Sequence, residues 1–376
     1  MAVLLWLAGA YLRIPILVAP PLAPFISDEL GLSQALTGAL TTLPILMLAI
    51  GSMPGSLAIA HIGPRNTLFF AMMIMVAGSA GRGLAPDTVT LMVASAVMGF
   101  GISMMQPSLP ALLPRWLEAK HMAIGSAIYM NGMLIGEFIG AGITLPVLMP
   151  LLDNNWRATL LVWSLPGLLV AGALFFPKRD LAKPLRKPAW LPDWSNPLTL
   201  RIGLLLGMSG SMFFGLNAYM SNLLEKQGRF ELLADALFWY NFGQLLASLI
   251  MLKMARVWVG RKGPIITTAI IAVLGTLGTV FLTSWWTIIS ATTMSVSAGI
   301  LLILLVALPP MLVASSETGR LSAGNFLVGY TVAFSVPMLG GLLADWGGDA
   351  RYAVMFILAY CLLALPLTFT LNLRRR

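Results

Sequence analysis

Residues 177–199 read PKRDLAKPLRKPAWLPDWSNPLT, and this stretch organises everything on either side of it. It holds five prolines (Pro177, Pro184, Pro188, Pro192 and Pro197) and seven charged residues in a chain that is otherwise poor in charge. Prolines at this density disfavour a continuous helix, and the charges keep the segment at a surface. Lys178, Arg179, Lys183, Arg186 and Lys187 suit contact with anionic lipid headgroups. The stretch therefore reads as a basic linker between an N-terminal half, 1–176, and a C-terminal half, 200–376.

Working outward, both halves are apolar. Across 376 residues, 58% are hydrophobic and 10% are charged. Soluble domains carry about 25% charged residues, which they need to cover a surface facing water. Lipid must cover most of this exterior. A spanning helix needs roughly 20 apolar residues. On that scale the first half holds spans near 2–26, 34–60, 66–84, 88–113, 121–150 and 156–176. The second holds spans near 200–224, 232–258, 263–283, 285–311, 319–345 and 351–373, with only Ser284 dividing the ninth from the tenth. The expected fold is an all-α membrane protein of 12 transmembrane helices in two six-helix bundles. Such a layout matches transporters whose halves rock about a midplane site.

The net charge of +9 does not point to nucleic acid, because its distribution follows the membrane. With both termini cytoplasmic, 17 basic residues fall on that side and 5 (Arg82, Arg157, Lys226, Arg229 and Arg351) on the other. Arg13 lies inside the membrane. This is the positive-inside asymmetry, and it predicts the orientation. The apolar N-terminus lacks a basic start and runs into further spans, unlike a signal peptide. The single cysteine, Cys361, excludes an internal disulfide and a cysteine-based metal site. No cofactor is expected, and the chain is expected to act as a monomer.

Gly132, Gly136 and Gly140 recur every four residues in the fifth span, as Gly51 and Gly55 do in the second. Such faces let another helix approach closely. The fifth span is echoed in the eleventh, where Ser322-Ala-Gly324-Asn325 leads to Gly329-Tyr330.

Arg13 is the most informative residue. Near the middle of a span an arginine costs at least about 2.5–3.5 kcal/mol, so it needs a partner, water or a ligand. Pro15, Pro20, Pro21 and Pro24 follow it, which predicts a kinked helix lining a cavity. Two readings stand: a structural arginine paired within the bundle, or a fixed positive charge that attracts a small anion. A planar guanidinium suits planar or linear oxyanions. Glu137 in the fifth span is the deep carboxylate. Counting 1.5 Å per residue from the cytoplasmic ends, Arg13 lies roughly 17 Å deep and Glu137 roughly 22 Å. The two can meet, with Glu137 as counter-ion when no anion is bound and as proton acceptor when one displaces it.

Gln106, Asn131, Asn217, Tyr219, Asn241, Gln244, Asn325 and Tyr330 are the other polar residues at depth. Amides and phenols in hydrocarbon usually bond across helices. Gln106, Asn131, Asn217, Asn325 and Tyr330 are assigned to the substrate cavity, and the rest to helix contacts. His61 and His121 lie at helix ends, and no metal-ligand pair such as HExxH occurs, so enzyme chemistry has no visible machinery. Rings of like charge would suggest a channel, and one intramembrane arginine makes no ring.

Several short stretches carry a resemblance. They are Leu12-Arg13 with Pro20-Pro21-Leu22, then Thr37-Gly38 through Pro44, and Gly99-Phe-Gly101 through Gln106 with Pro110 and Arg115. In the second half they are Ala314-Ser315-Ser316, Leu321 to Gly324, and Gly329-Tyr330. In these the chain resembles the cyanate porter family of the major facilitator superfamily. That family is associated with cyanate and with small nitro-substituted heterocycles. By resemblance, Arg13 matches the arginine early in the family's first helix and Gln106 a polar position in the fourth. The superfamily's signature between spans two and three is partly kept at Gly55-Ser-Leu57-Ala58 and Gly63-Pro-Arg65. Ile59 stands at its acidic position and Ala60 at a basic one. Glu137 occupies a position where relatives are expected to carry small residues, and Asn325 one where they carry a different polar residue. The resemblance implies secondary transport of a cyanate-like anion, with nitrate, bicarbonate or carboxylates behind it, by alternating access across a bacterial inner membrane. The alternative is an exporter of small neutral nitro-heterocycles.

Overall fold

The computed structural model describes residues 1–118, 121–176, 194–313 and 315–373. Most of the expected linker (177–193), together with Lys120, Ala314 and the terminal arginines, lies outside the described residues. All regular structure among the described residues is helical. The first span is broken into α1 (Ala2–Ala10), α2 (Ile14–Leu17) and α3 (Ala19–Leu30). The second and third spans form one trace, α4 (Gln34–Gly83), interrupted at Gly63. There φ is 81° and ψ 161°, a backbone conformation that glycine adopts without penalty. Then follow α5 (Thr88–Trp116), α6 (Met122–Phe138), a π-helical segment (Ile139–Leu148), α7 (Met149–Leu151) and α8 (Trp156–Ala173).

The second half comprises α9 (Pro197–Lys226), α10 (Leu233–Trp258), α11 (Lys262–Phe281) and α12 (Trp285–Val306). It ends with α13 (Pro309–Leu312), α14 (Ser315–Gly347), α15 (Arg351–Ala364) and α16 (Leu367–Thr370). Ser284 does divide two helices, at φ 58°. Eleven helical stretches among the described residues are long and apolar enough to cross a membrane. The twelfth expected span is α10. Trp239, Tyr240, Asn241 and Gln244 dilute its apolar character, yet its 26 residues reach about 39 Å, enough to cross.

Side-chain distribution is that of a lipid-facing protein. Large apolar residues such as Leu169, Leu252 and Leu363 are exposed, while Thr42, Ser103, Asn217, Asn241 and Thr276 are buried. With hydrocarbon outside, polar groups gain by finding partners inside. Helix starts are capped where loops allow. Asp87 accepts the Thr90 N–H, which holds its carboxyl below the usual carboxylate range. Asn155 accepts from Arg157 and Ala158, and Asn196 from Leu198, just ahead of Pro197.

The chain divides into two compact units, Met1–Leu30 with Leu46–Lys187, and Gly31–Ile45 with Pro188–Arg376. Within the first, Glu29 binds the Arg157 guanidinium at 2.8 Å and accepts from Trp156 Nε1 at 2.7 Å. Within the second, Asp345 accepts the backbone N–H groups of Gln34 and Ala35, so a carboxylate meets the positive end of α4. Tyr219 donates to Pro337 O at 2.8 Å.

Candidate functional site

The site is built by the glycine stripe. A side chain at Gly132 would overlap the Trp6 carbonyl, and one at Gly136 the Ala10 carbonyl. One at Gly9 would overlap the Tyr129 carbonyl. Thus α1 and α6 run parallel with their backbones in contact, and only glycine permits that approach. Two polar contacts cross this seam. Trp6 Nε1 donates to Asn131 Oδ1 at 2.9 Å. Two helical turns further along, Arg13 Nε lies 3.0 Å from Glu137 Oε1, with both side chains nearly buried.

Local backbone explains why Arg13 can reach. Tyr11–Arg13 form turns between α1 and α2, where Leu12 and Arg13 N–H bond to the carbonyls of Gly9 and Ala10, three residues back. Pro15 has no N–H to continue the ladder from Tyr11. The break swings Arg13, at φ −127°, off the line of α1. Glu137 is one residue from the end of α6, where the helix widens into the π segment. Such widenings recur at functional sites.

The other sequence-assigned residues do not all converge on this pair. Gln106 is half-buried on α5, and Asn131 is exposed beyond its contact with Trp6. Asn217 is buried against Asn241, whose Nδ2 donates to it at 2.9 Å. Asn325 is buried, with its amide nitrogen placed to donate to Thr199 O at 3.1 Å. Tyr330 is half-buried and stacks on Phe326, ring centres 5.6 Å apart. Arg65, at the end of the partial signature, donates to Leu174 O at 2.7 Å and lies over the Phe175 ring.

Arg82, assigned in sequence to the outer side of the membrane, is fully buried within the protein. Its Nη1 donates to Pro15 O at 2.7 Å and faces Met98 Sδ at 3.2 Å. Its side chain points back along α4, as long side chains do in helices, and so reaches the broken first span. The available signal was its place inside an apolar span between Gly81 and Gly83. No group of three His, Cys, Asp or Glu among the described residues could hold a metal.

Residues 5–232 match the sequence profile of the Major Facilitator Superfamily over more than half of the chain. The chain belongs to the Major Facilitator Superfamily. As a superfamily member it is a multi-pass membrane transporter and not an enzyme. It is 24% identical to the cyanate transport protein CynX of Escherichia coli (strain K12), covering 93% of this chain and 91% of that protein. It is 25% identical to the 2-nitroimidazole transporter of the same organism, over 94% of this chain and 90% of that one. A gentisate transporter of Corynebacterium glutamicum is 23% identical over 93% and 82%. Among solved structures, a bacterial homologue of the human lysosomal transporter Spinster superposes with a TM-score of 0.79 at 15% identity. It covers 98% of this chain and 95% of that one. The xylose transporter XylE of E. coli superposes with a TM-score of 0.76 at 13% identity and the same coverage. These likenesses carry the fold. The resemblance to cyanate porters agrees with the sequence relatives.

Proposed function

We propose that this chain is a secondary transporter of small anions, working by alternating access in a bacterial inner membrane with both termini cytoplasmic. The observation that carries the reading is the buried pair of Arg13 and Glu137 at 3.0 Å. Taking two charges out of water is expensive, and a well-packed apolar pair would be at least as stable. Retention of the pair is explained if one partner is exchanged during function. In this reading Glu137 holds the guanidinium while no anion is present. An arriving anion displaces it, and the stranded carboxylate takes a proton, because a lone charge in low dielectric is disfavoured. Anion and proton then move together.

Similarity to a cyanate transporter supports a cyanate-like anion first; nitrate, bicarbonate and carboxylates stand behind it because a planar guanidinium suits planar oxyanions. We assign Gln106 and Asn131 to solute contacts within the first unit, and Tyr330 to a solute contact within the second. Asn217 and Asn325 are engaged by protein partners and hold their own helices in this reading. The second reading, export of a neutral nitro-heterocycle, draws on the similarity to the 2-nitroimidazole transporter.

Uptake of labelled cyanate into proteoliposomes at two pH values separates these readings. Wild type is expected to accumulate cyanate and Arg13→Gln is expected to lose it. Glu137→Gln is expected to keep uptake that no longer responds to pH. Full uptake by Arg13→Gln rejects the anion site, and a neutral heterocycle panel becomes the next assay.

A further inference from the structure

Arg82 is a second buried guanidinium in the first unit, and its surroundings differ from those of Arg13. Arg13 has a carboxylate at 3.0 Å. Arg82 has one hydrogen-bonding nitrogen engaged, Nη1, by Pro15 O and the Met98 sulfur. Its Nε and Nη2 are buried and have no hydrogen-bond partner among the described residues. Protein interiors rarely leave such donors unmatched, and a charged one is the least tolerable.

The two unmatched atoms are not scattered. In a guanidinium whose Nη1 lies on the same side as the side-chain stem, Nε–H and one N–H of Nη2 point the same way along the opposite edge. That edge is the fork that receives two oxygens bonded to one centre. Nη1 is held by Pro15 O and faces Met98 Sδ, which orients the guanidinium plane; the free edge is closed off in this conformation, so an anion reaches it only when the surrounding helices part. The anchor has a further meaning. Pro15 belongs to α2 and stands two residues after Arg13, so both guanidinia attach to the same short segment of the broken first span.

We propose that Arg82 is a second anion-binding residue, whose Nε/Nη2 edge takes a planar anion bearing two oxygens on one centre, a carboxylate or nitrate, side-on. This rests on the small-anion reading of the transporter and narrows its substrate class. Arg13 serves any small anion able to displace Glu137. Arg82 selects for the two-oxygen shape and passes no proton, since a guanidinium does not give one up.

Binding of benzoate and of thiocyanate to the purified full-length protein in detergent, measured by titration calorimetry, tests this. Benzoate offers the two-oxygen edge, and thiocyanate is linear and does not. Arg82→Lys keeps the charge and removes the fork. Its benzoate Kd is expected to rise by about tenfold or more, while thiocyanate binding changes by less than about twofold. Unchanged benzoate binding in folded Arg82→Lys overturns the proposal and leaves Arg82 as a staple on α2. Wild type that binds thiocyanate but not benzoate also overturns it, with the anion reading intact. Wild type that binds neither sinks both. If the variant does not fold, wild-type protein is treated with phenylglyoxal and its arginines are mapped by mass spectrometry. Protection of Arg82 by benzoate supports the proposal, and equal modification with and without benzoate overturns it.

Discussion

The seam between α1 and α6 and the seam between α9 and α14 are the same device executed with different chemistry. Each packs the first helix of a half against its fifth, in parallel. In the first, glycines on both helices bring backbone against backbone, and a charged pair crosses the contact. In the second, Gly203 and Gly207 receive the side chains of Val328 and Val332, and Gly329 meets Leu206. If Gly136 is set against Gly329, Glu137 falls opposite Tyr330. In the second half the buried polar contacts named here are neutral and join α10 to its neighbours: Asn241 with Asn217 on α9, Tyr240 with the carbonyls of Met212 and Phe213 on α9, and Gln244 with Ser295 on α12. The difference is one of charge: a buried ion pair crosses the first seam, whereas the second half's named contacts are made by amides and hydroxyls, and the proposed function places charge recognition in the first half accordingly.

Breaking the tighter seam has the largest expected effect. Gly136→Val forces α1 and α6 apart, and a loss of about 3 kcal/mol is expected together with loss of transport. Gly329→Ala, which adds one methyl group against the Leu206 Cβ rather than a branched side chain against a backbone carbonyl, is expected to shift thermal unfolding less. Equal melting shifts would erase the distinction between the seams.

The charged pair comes next. Glu137→Gln removes the carboxylate charge 3.0 Å from a buried guanidinium and is expected to destabilise by about 3 kcal/mol. Arg13→Gln is expected to be milder at acidic pH, because a carboxyl can accept a proton whereas a guanidinium cannot shed one. Unfolding of both variants between pH 5 and 8 checks this (about that range holds most stability maxima). Parallel profiles would count against a neutralisable Glu137. In the neutral half, Asn241→Ala is expected to lose about 1–2 kcal/mol, with the pH response of transport unaltered. The smallest effect is expected from Tyr330→Phe, within about 0.5 kcal/mol in stability, with a modest change in apparent substrate affinity. A lost pH response in either variant would mean that the second half handles charge after all.

The architecture was legible because lipid imposes long apolar runs, and each interruption is marked by an unusual residue. Gly63 and Ser284 break the backbone where the runs end. The meeting of Arg13 and Glu137 was legible from depth, and the glycine stripe named one helix of the contact. It did not name the other, because a small residue says that something approaches and not what. The contacts of Arg82 were not legible for a geometric reason: counting residues locates a Cα, while a long side chain reaches several ångströms back along its helix. The partner of Asn217 lies on another helix, and nothing in the apolar runs between them encodes it.

The π segment from Ile139 to Leu148 carries a consequence for any residue-by-residue survey of the fifth span. Bonds that skip five residues give about 4.4 residues per turn, so each residue advances less around the axis than in an α-helix. Over ten residues the lag reaches about half a revolution. A single wheel drawn through Met122–Leu151 therefore assigns lipid and protein faces wrongly in its last third. Single-cysteine labelling along this span should show reactive positions recurring at one interval before Glu137 and at a longer one after Ile139. Deleting one residue between them would turn Thr144 away from Trp163, whose indole now donates to it at 3.1 Å.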